Sequence, residues 1–163
     1  MNSQKIKIKF FRDAKKLYNV FTNESACYNN FYATDQAVGL DLRACLEDQK
    51  SLIIKKGERK KIAVGLAFEP IAENIAAFIY SRSGLGAKEG LCVAQGVGII
   101  DPDYRGEIFI YILNTSEKDK EILHGERIAQ AVFQPFIRPS FEEVNELSLS
   151  QRDSGGFGHS GRF

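Results

Sequence analysis

Histidine and cysteine are scarce in this chain, with two and three residues among 163. His124 and His159 stand at ligand spacing from none of Cys27, Cys45 and Cys92, so a structural zinc site is not expected. An odd, widely spaced set of cysteines in or beside apolar segments reads as buried free thiols rather than as a disulfide framework. Neither sign of charge is in surplus: 22 Lys and Arg face 21 Asp and Glu, interspersed along the chain. That balance implies no diffuse attraction to polynucleotide or to an anionic membrane, so neither is an expected partner and any bound anion must be held by local groups. No apolar run approaches the roughly 20 residues of a membrane span. Met1–Lys9 alternates charged and apolar residues where a signal peptide would be continuously apolar, so a cytoplasmic location is expected.

What the chain does have is a succession of short apolar runs rich in β-branched and aromatic residues. They are Ile6–Phe11, Val38–Cys45, Ser51–Ile54, Lys60–Phe68, Ile75–Ser81, Leu91–Ala94, Glu107–Asn114 and Arg127–Ile137, all of strand length. Lys5-Ile6-Lys7-Ile8-Lys9-Phe10 alternates with period two, which puts the apolar side chains on one face and the lysines in water. Gly57, Gly65, Gly90, Gly98, Gly106 and Gly125 punctuate the set. The length fits one domain, and the pattern predicts an all-β, antiparallel sandwich or barrel. Only Ser83–Glu89 reads as a short helix, and Leu17–Tyr32, rich in Asn and aromatics, has no assignable pattern. After Pro139 the chain turns polar and ends in the Gly- and Ser-rich stretch Arg152–Gly161, which has too little apolar surface for a core of its own.

Four places could carry chemistry. In Gly96–Glu107, GVGIIDPDYRGE, Pro102 restricts its own backbone and that of the residue before it, so the chain turns and presents Asp101, Asp103 and Tyr104 at a strand end. Asp101 there is either a fixed general base beside an aromatic ring or a solvated turn residue with Tyr104 packed on the core. Ser81-Arg82-Ser83-Gly84-Leu85-Gly86 joins a strand to the expected helix and offers a guanidinium, a hydroxyl and free backbone amides to a phosphate; an ordinary capped turn is the alternative. In Gly125–Gln130, Gln130 can donate to an oxygen ligand, whereas Arg127 is read as the partner of a carboxylate within the protein. In the tail, Arg152 with the following glycines can close over a polyphosphate while Phe157 stacks on a flat ring; a frayed terminus is the alternative.

Five segments in order, Ala37–Ala44, Ser81–Gly86, Gly96–Glu107, Gly125–Gln130 and Arg152–Gly161, resemble the five motifs of the trimeric dUTP pyrophosphatase family. The resemblance implies a jelly-roll-like β subunit, a homotrimer with active sites shared between chains, and Mg²⁺-dependent hydrolysis of dUTP to dUMP and pyrophosphate, which keeps uracil out of DNA and supplies dUMP for thymidylate synthesis. It further implies that Asp101 activates the attacking water and that Tyr104 packs under the deoxyribose. The hairpin around Gly98 would read the uracil edge, and Arg82, Ser83, Gly84 and Gln130 would contact phosphates. Asp41 would reach the metal through water. Residues 140–163 would form an arm that closes over a neighbouring subunit's site, with Phe157 on the uracil and Arg152 and Ser160 on the terminal phosphates.

Departures from the family pattern are Ala37-Val38 before Gly39 where Ser-Ala is usual, Ser81, Asp153, His159, and a longer Leu17–Phe31 connection. Two other readings remain at this level. A dCTP deaminase shares the fold but requires a glutamate base beside the pyrimidine. A catalytically silent relative would use the scaffold to bind a protein partner.

Overall fold

The computed structural model describes residues 5–18, 31–46, 50–70, 72 and 74–156. Within them every strand pairing is antiparallel, and four sheets form. Strand β1 (Ile6–Phe10) pairs with β5 (Leu66–Pro70), and β3 (Ser51–Ile54) with β10 (Lys120–Leu123). A three-stranded sheet has the order β4 (Arg59–Ala63), β9 (Phe109–Asn114), β7 (Leu91–Val93). The four-stranded sheet that carries Asp41, Gly98 and Gln130 runs β2 (Leu40–Arg43), β11 (Arg127–Pro135), β6 (Ile75–Tyr80), β8 (Gly98–Ile100).

The expected alternation positions these strands. Ile6, Ile8 and Phe10 pack against the core while Lys5, Lys7 and Lys9 are exposed. On β9, Ile110, Ile112 and Asn114 point inward and Phe109 and Tyr111 outward. Leu42, Ile54, Ile62, Leu66, Ile108, Ile122 and Ile128 are essentially inaccessible and belong to one apolar cluster. Buried Asn114 satisfies its whole carboxamide: Nδ2 donates to the carbonyls of Ile54 (2.9 Å) and Lys118 (2.8 Å), and Oδ1 accepts from the amide and hydroxyl of Ser116.

The all-β architecture is as the sequence indicated, and helix α2 (Ser83–Glu89) forms where expected, ending at Gly90 in the left-handed region (φ 73°). Three details differ. The run Lys60–Phe68 is two strands, β4 and β5, broken at Gly65. Its φ is +71°, and a Cβ there would fall 2.3 Å from that of Ala14. Strand β10 is absent from the expected runs, because Lys120–Leu123 is short and half charged. A second helix, α1 (Ala14–Leu17), is a single turn, too short to show a period.

Part of the unassigned segment is anchored. Tyr18 and Phe31 are buried, with ring centroids 5.3 Å apart, and both contact Phe10. The Tyr18 hydroxyl donates to the Val64 carbonyl (2.9 Å) and accepts from the Arg43 amide (3.0 Å). Burial pushes that phenol's pKa well above its ordinary value. Cys45 is buried and Cys92 half-buried, both as free thiols; Cys27 lies outside the described residues. Residues 136–156 form no helix or strand, and Ile137, Phe141, Leu147 and Leu149 along them are almost fully exposed.

Candidate active site

Residues from three separate motifs meet at one end of the four-stranded sheet. Gln130 on β11 lies opposite Asp41 of β2 on one side and Tyr80 of β6 on the other. Beyond Tyr80 the chain passes through Ser81 and Arg82 into α2. Asp41, Arg82, Ser83, Gly84 and Gln130 therefore line one open pocket of about 300 Å³, closed on another side by Ala33 and the Ala37–Gly39 segment. Gly39 leaves room there for the Gln130 side chain, since a Cβ on it would fall 2.2 Å from Gln130 Oε1 and make that carboxamide move.

Asp41, with its side chain 11% exposed, is the electrostatic centre of this group. Its Oδ1 accepts from Arg82 Nε and its Oδ2 from Arg127 Nη1, each at 3.0 Å. Arg82 Nη1 also donates to the Arg127 carbonyl (3.2 Å), and Gln130 Nε2 to the Ser81 carbonyl (3.1 Å). Two guanidiniums on one carboxylate leave a positive excess at the pocket. Ser83 and Gly84 are exposed and no side chain caps the first turn of α2, so its backbone donors remain for water or an anion. Arg127 thus takes the internal pairing that its sequence context suggested.

The third motif is built elsewhere. Gly98 opens β8 opposite Ile79, where a Cβ would stand 3.2 Å from the Ile79 Cβ and 3.3 Å from Gln95 Nε2. Asp101 is exposed directly after β8, and its carbonyl accepts from the Tyr104 amide (3.1 Å), closing the turn over Pro102 and Asp103. Arg105 Nη1 donates to the Pro102 carbonyl (2.6 Å) and secures the same turn. Tyr104 is 43% exposed; it lies against its own turn instead of packing in the core, with its hydroxyl donating to the Glu107 carbonyl (2.9 Å).

The β6–β8 ladder separates these two groups within one chain. Ile100 pairs with Ala77, so Asp101 continues toward the start of β6, while Arg82 lies past its other end. About six residues of extended backbone, roughly 20 Å, lie between them along the strand direction. Arg152 belongs to neither group: it is exposed, and its Nε donates to the Gly155 carbonyl (2.8 Å) within the tail. Phe157 and Ser160 lie outside the described residues.

Another cavity, of about 600 Å³, is lined by residues that include Arg12, Lys16, Cys45 and His124 and contains none of the expected site residues. Its cations are engaged, Arg12 by Glu107 and Lys16 by Asp13. The smaller pocket, by contrast, gathers residues from three of the five motifs. Sequence reasoning missed two supports. Ser81 Oγ accepts from the Val93 amide (2.8 Å), tying the approach to α2 to β7. Glu107 pairs with Arg12, 95 positions away, for which the sequence offers no signal.

Residues 28–161 match the profile of the dUTPase family. The chain belongs to that family. It is 46% identical over 131 residues to the deoxyuridine 5'-triphosphate nucleotidohydrolase of Methylococcus capsulatus, covering 80% of this chain and 85% of that protein. The fold is shared with the dUTPase of Staphylococcus bacteriophage 80alpha, solved with dUPNHPP, at a TM-score of 0.77 and 24% identity over 99% of each chain. It is also shared with a point mutant of the dUTPase from phage phi11 of S. aureus, solved to show coordination of a structural Mg(II) ion. There the TM-score is 0.69 at 18% identity, covering 89% of this chain and 99% of that one. The pocket and the Asp101–Tyr104 turn described above are therefore parts of a dUTPase-family fold. The segment around Gly98 is not a β-hairpin, since β7 pairs with β9 while β8 pairs with β6.

Proposed function

We propose that the protein hydrolyses dUTP to dUMP and pyrophosphate in sites shared between three copies of the chain, with Asp101 activating the attacking water. The observation that carries this reading is the division of the site. The cationic pocket and the Asp101–Tyr104 turn stand at opposite ends of the β6–β8 ladder, which supports a site in which the pocket of one chain is completed by the turn of another.

In such a site the triphosphate lies against Arg82, Ser83, Gly84 and Gln130. Arg82 already has one carboxylate partner in Asp41, which fixes its approach and leaves further guanidinium donors for phosphate oxygens. The backbone at Gly98 reads the uracil edge, and the exposed face of Tyr104 supports the deoxyribose, where a ribose 2′-hydroxyl would find no partner. The exposed Asp101 carboxylate, at the end of a short strand and before a turn closed by a backbone bond, accepts a proton from water and aims it at the α-phosphorus. Phosphoryl chemistry of this kind depends on positioning and charge neutralisation and needs no covalent nucleophile. Residues 140–163 form the arm, with Arg152 and Ser160 toward the terminal phosphates and Phe157 on the base.

The donor set fits a Mg²⁺ carried by the triphosphate. Among the described residues no group of three His, Cys, Asp or Glu side chains could cage an ion, and each Asp41 oxygen, bonded to one arginine, keeps a lone pair with which it would meet the ion through water. When bound, the ion supplies neutralisation of the phosphate charge.

The test is pyrophosphate release from dUTP with Mg²⁺. The wild-type protein is expected to be active, and Asp101→Asn to lower kcat by about 10²-fold or more. Full activity in Asp101→Asn rejects the assigned base. Uracil nucleotide formed from dCTP would indicate the deaminase instead.

A further inference from the structure

The side chain of Glu107 has no part in the chemistry proposed for this site, yet it is among the most tightly held acids of the molecule. It is 9% exposed. One carboxylate oxygen accepts from the Gly65 amide (3.0 Å) and from Arg12 Nη2, and the other from Arg12 Nη1 (2.9 Å). Arg12 reaches it from the corner after β1, where its own backbone is left-handed (φ 53°), an unusual conformation for a side-chain-bearing residue. The next residue, Ile108, is buried and bonded to the β5 region on both sides. Its amide donates to the Leu66 carbonyl (3.0 Å), and its carbonyl accepts from the Val64 amide (3.1 Å). Glu107 is thus fixed to the core through its side chain and through its neighbour.

Its carbonyl faces the other way. That oxygen accepts the Tyr104 hydroxyl at 2.9 Å, and the Tyr104 ring lies so close over Gly106 that a Cβ there would fall 2.4 Å from the phenol oxygen. The height and tilt of the ring are therefore set by where the 106–107 backbone sits.

We infer that Glu107, clamped by Arg12 and Gly65, is the positioning residue for Tyr104, and that this clamp sets the discrimination between 2′-deoxyribose and ribose. The inference rests on the proposed placement of Tyr104 beneath the sugar. Neither Glu107 nor Arg12 touches substrate in this arrangement. Their effect passes through the carbonyl that holds the phenol. A carboxamide at 107 can still accept from Gly65 but turns a donor toward the Arg12 donors, so the clamp opens. A lysine at 12 keeps the charge and loses the planar two-pronged geometry, so the clamp loosens without losing its sign.

The experiment compares wild type, Glu107→Gln and Arg12→Lys by two readouts. Hydrogen exchange of the turn amides 103–106, which does not depend on activity, is expected to accelerate about tenfold in Glu107→Gln and less in Arg12→Lys. The ratio of kcat/KM for dUTP to that for UTP is expected to fall by about tenfold in the same order, mostly through gain on UTP and a raised KM for dUTP. Unchanged exchange in the turn overturns the inference. So does faster exchange with an unchanged dUTP/UTP ratio, which would make the ion pair a fold support only. Should Glu107→Gln not fold, Arg12→Lys carries the same two readouts. A wild type inactive on dUTP rejects the proposed function, and the exchange result then still judges the clamp.

Discussion

Tyr18 illustrates what a single residue contributes when it comes from a stretch with no readable period. Its hydroxyl serves two backbone groups, the buried Val64 carbonyl and the partly buried Arg43 amide. Tyr18→Phe leaves both unpaired and is expected to destabilise the fold by about 1–3 kcal/mol, measured by chemical denaturation. The pH dependence has a definite sign. The folded-state pKa is raised above the ordinary phenol value of 10.0, chiefly by burial, so the folded protein keeps a proton that the unfolded chain releases. The tyrosine's contribution is intact below about pH 10 and declines above it, and the alkaline fall in melting temperature should be shallower in Tyr18→Phe. At this scale the sequence identifies residues by type and motif but not by partner. Asp41, Arg82 and Gln130 all stand out in it, and the setting of Arg127 points to an internal carboxylate. Which acid Arg127 takes is not readable, because the pairing spans 86 positions.

Elements are legible where periodicity has room to repeat. β1 and β9 show clean alternation, and α2 occupies the expected span. Legibility fails at β10, at the single turn of α1, and at the break inside Lys60–Phe68, all features shorter than one window of pattern. The break is nevertheless specified by one residue. Gly65 combines a left-handed backbone with contact to Ala14 and Cys45, and its amide serves Glu107. Gly65→Ala is expected to cost about 2–4 kcal/mol from backbone strain and overpacking together, seen as a lowered denaturation midpoint with an unchanged m-value. A neutral result would show that the β4–β5 corner relaxes freely and does not hold the Glu107 clamp in register.

For the molecule as a whole, the order of motifs along the chain reveals the family, while the distance between them cannot be read from it. Only the strand register shows that Arg82 and Asp101 stand apart. The proposed sharing of the site between three chains makes a quantitative prediction. Asp101→Asn and an Arg82→Ala variant, each inactive alone, should regain about a quarter of wild-type turnover when unfolded together in equal amounts and refolded, because random assembly restores one intact pairing in four. No recovery in mixed trimers verified by mass would place the whole site within one chain. The segment after β11 carries a related obligation. Ile137, Phe141, Leu147 and Leu149 are 87–93% exposed in the isolated chain. In the assembly proposed above a solitary protomer would be an adhesive object: dilution would uncover greasy side chains that invite nonspecific clumping, and durability in storage would become a matter of protein concentration as much as of temperature.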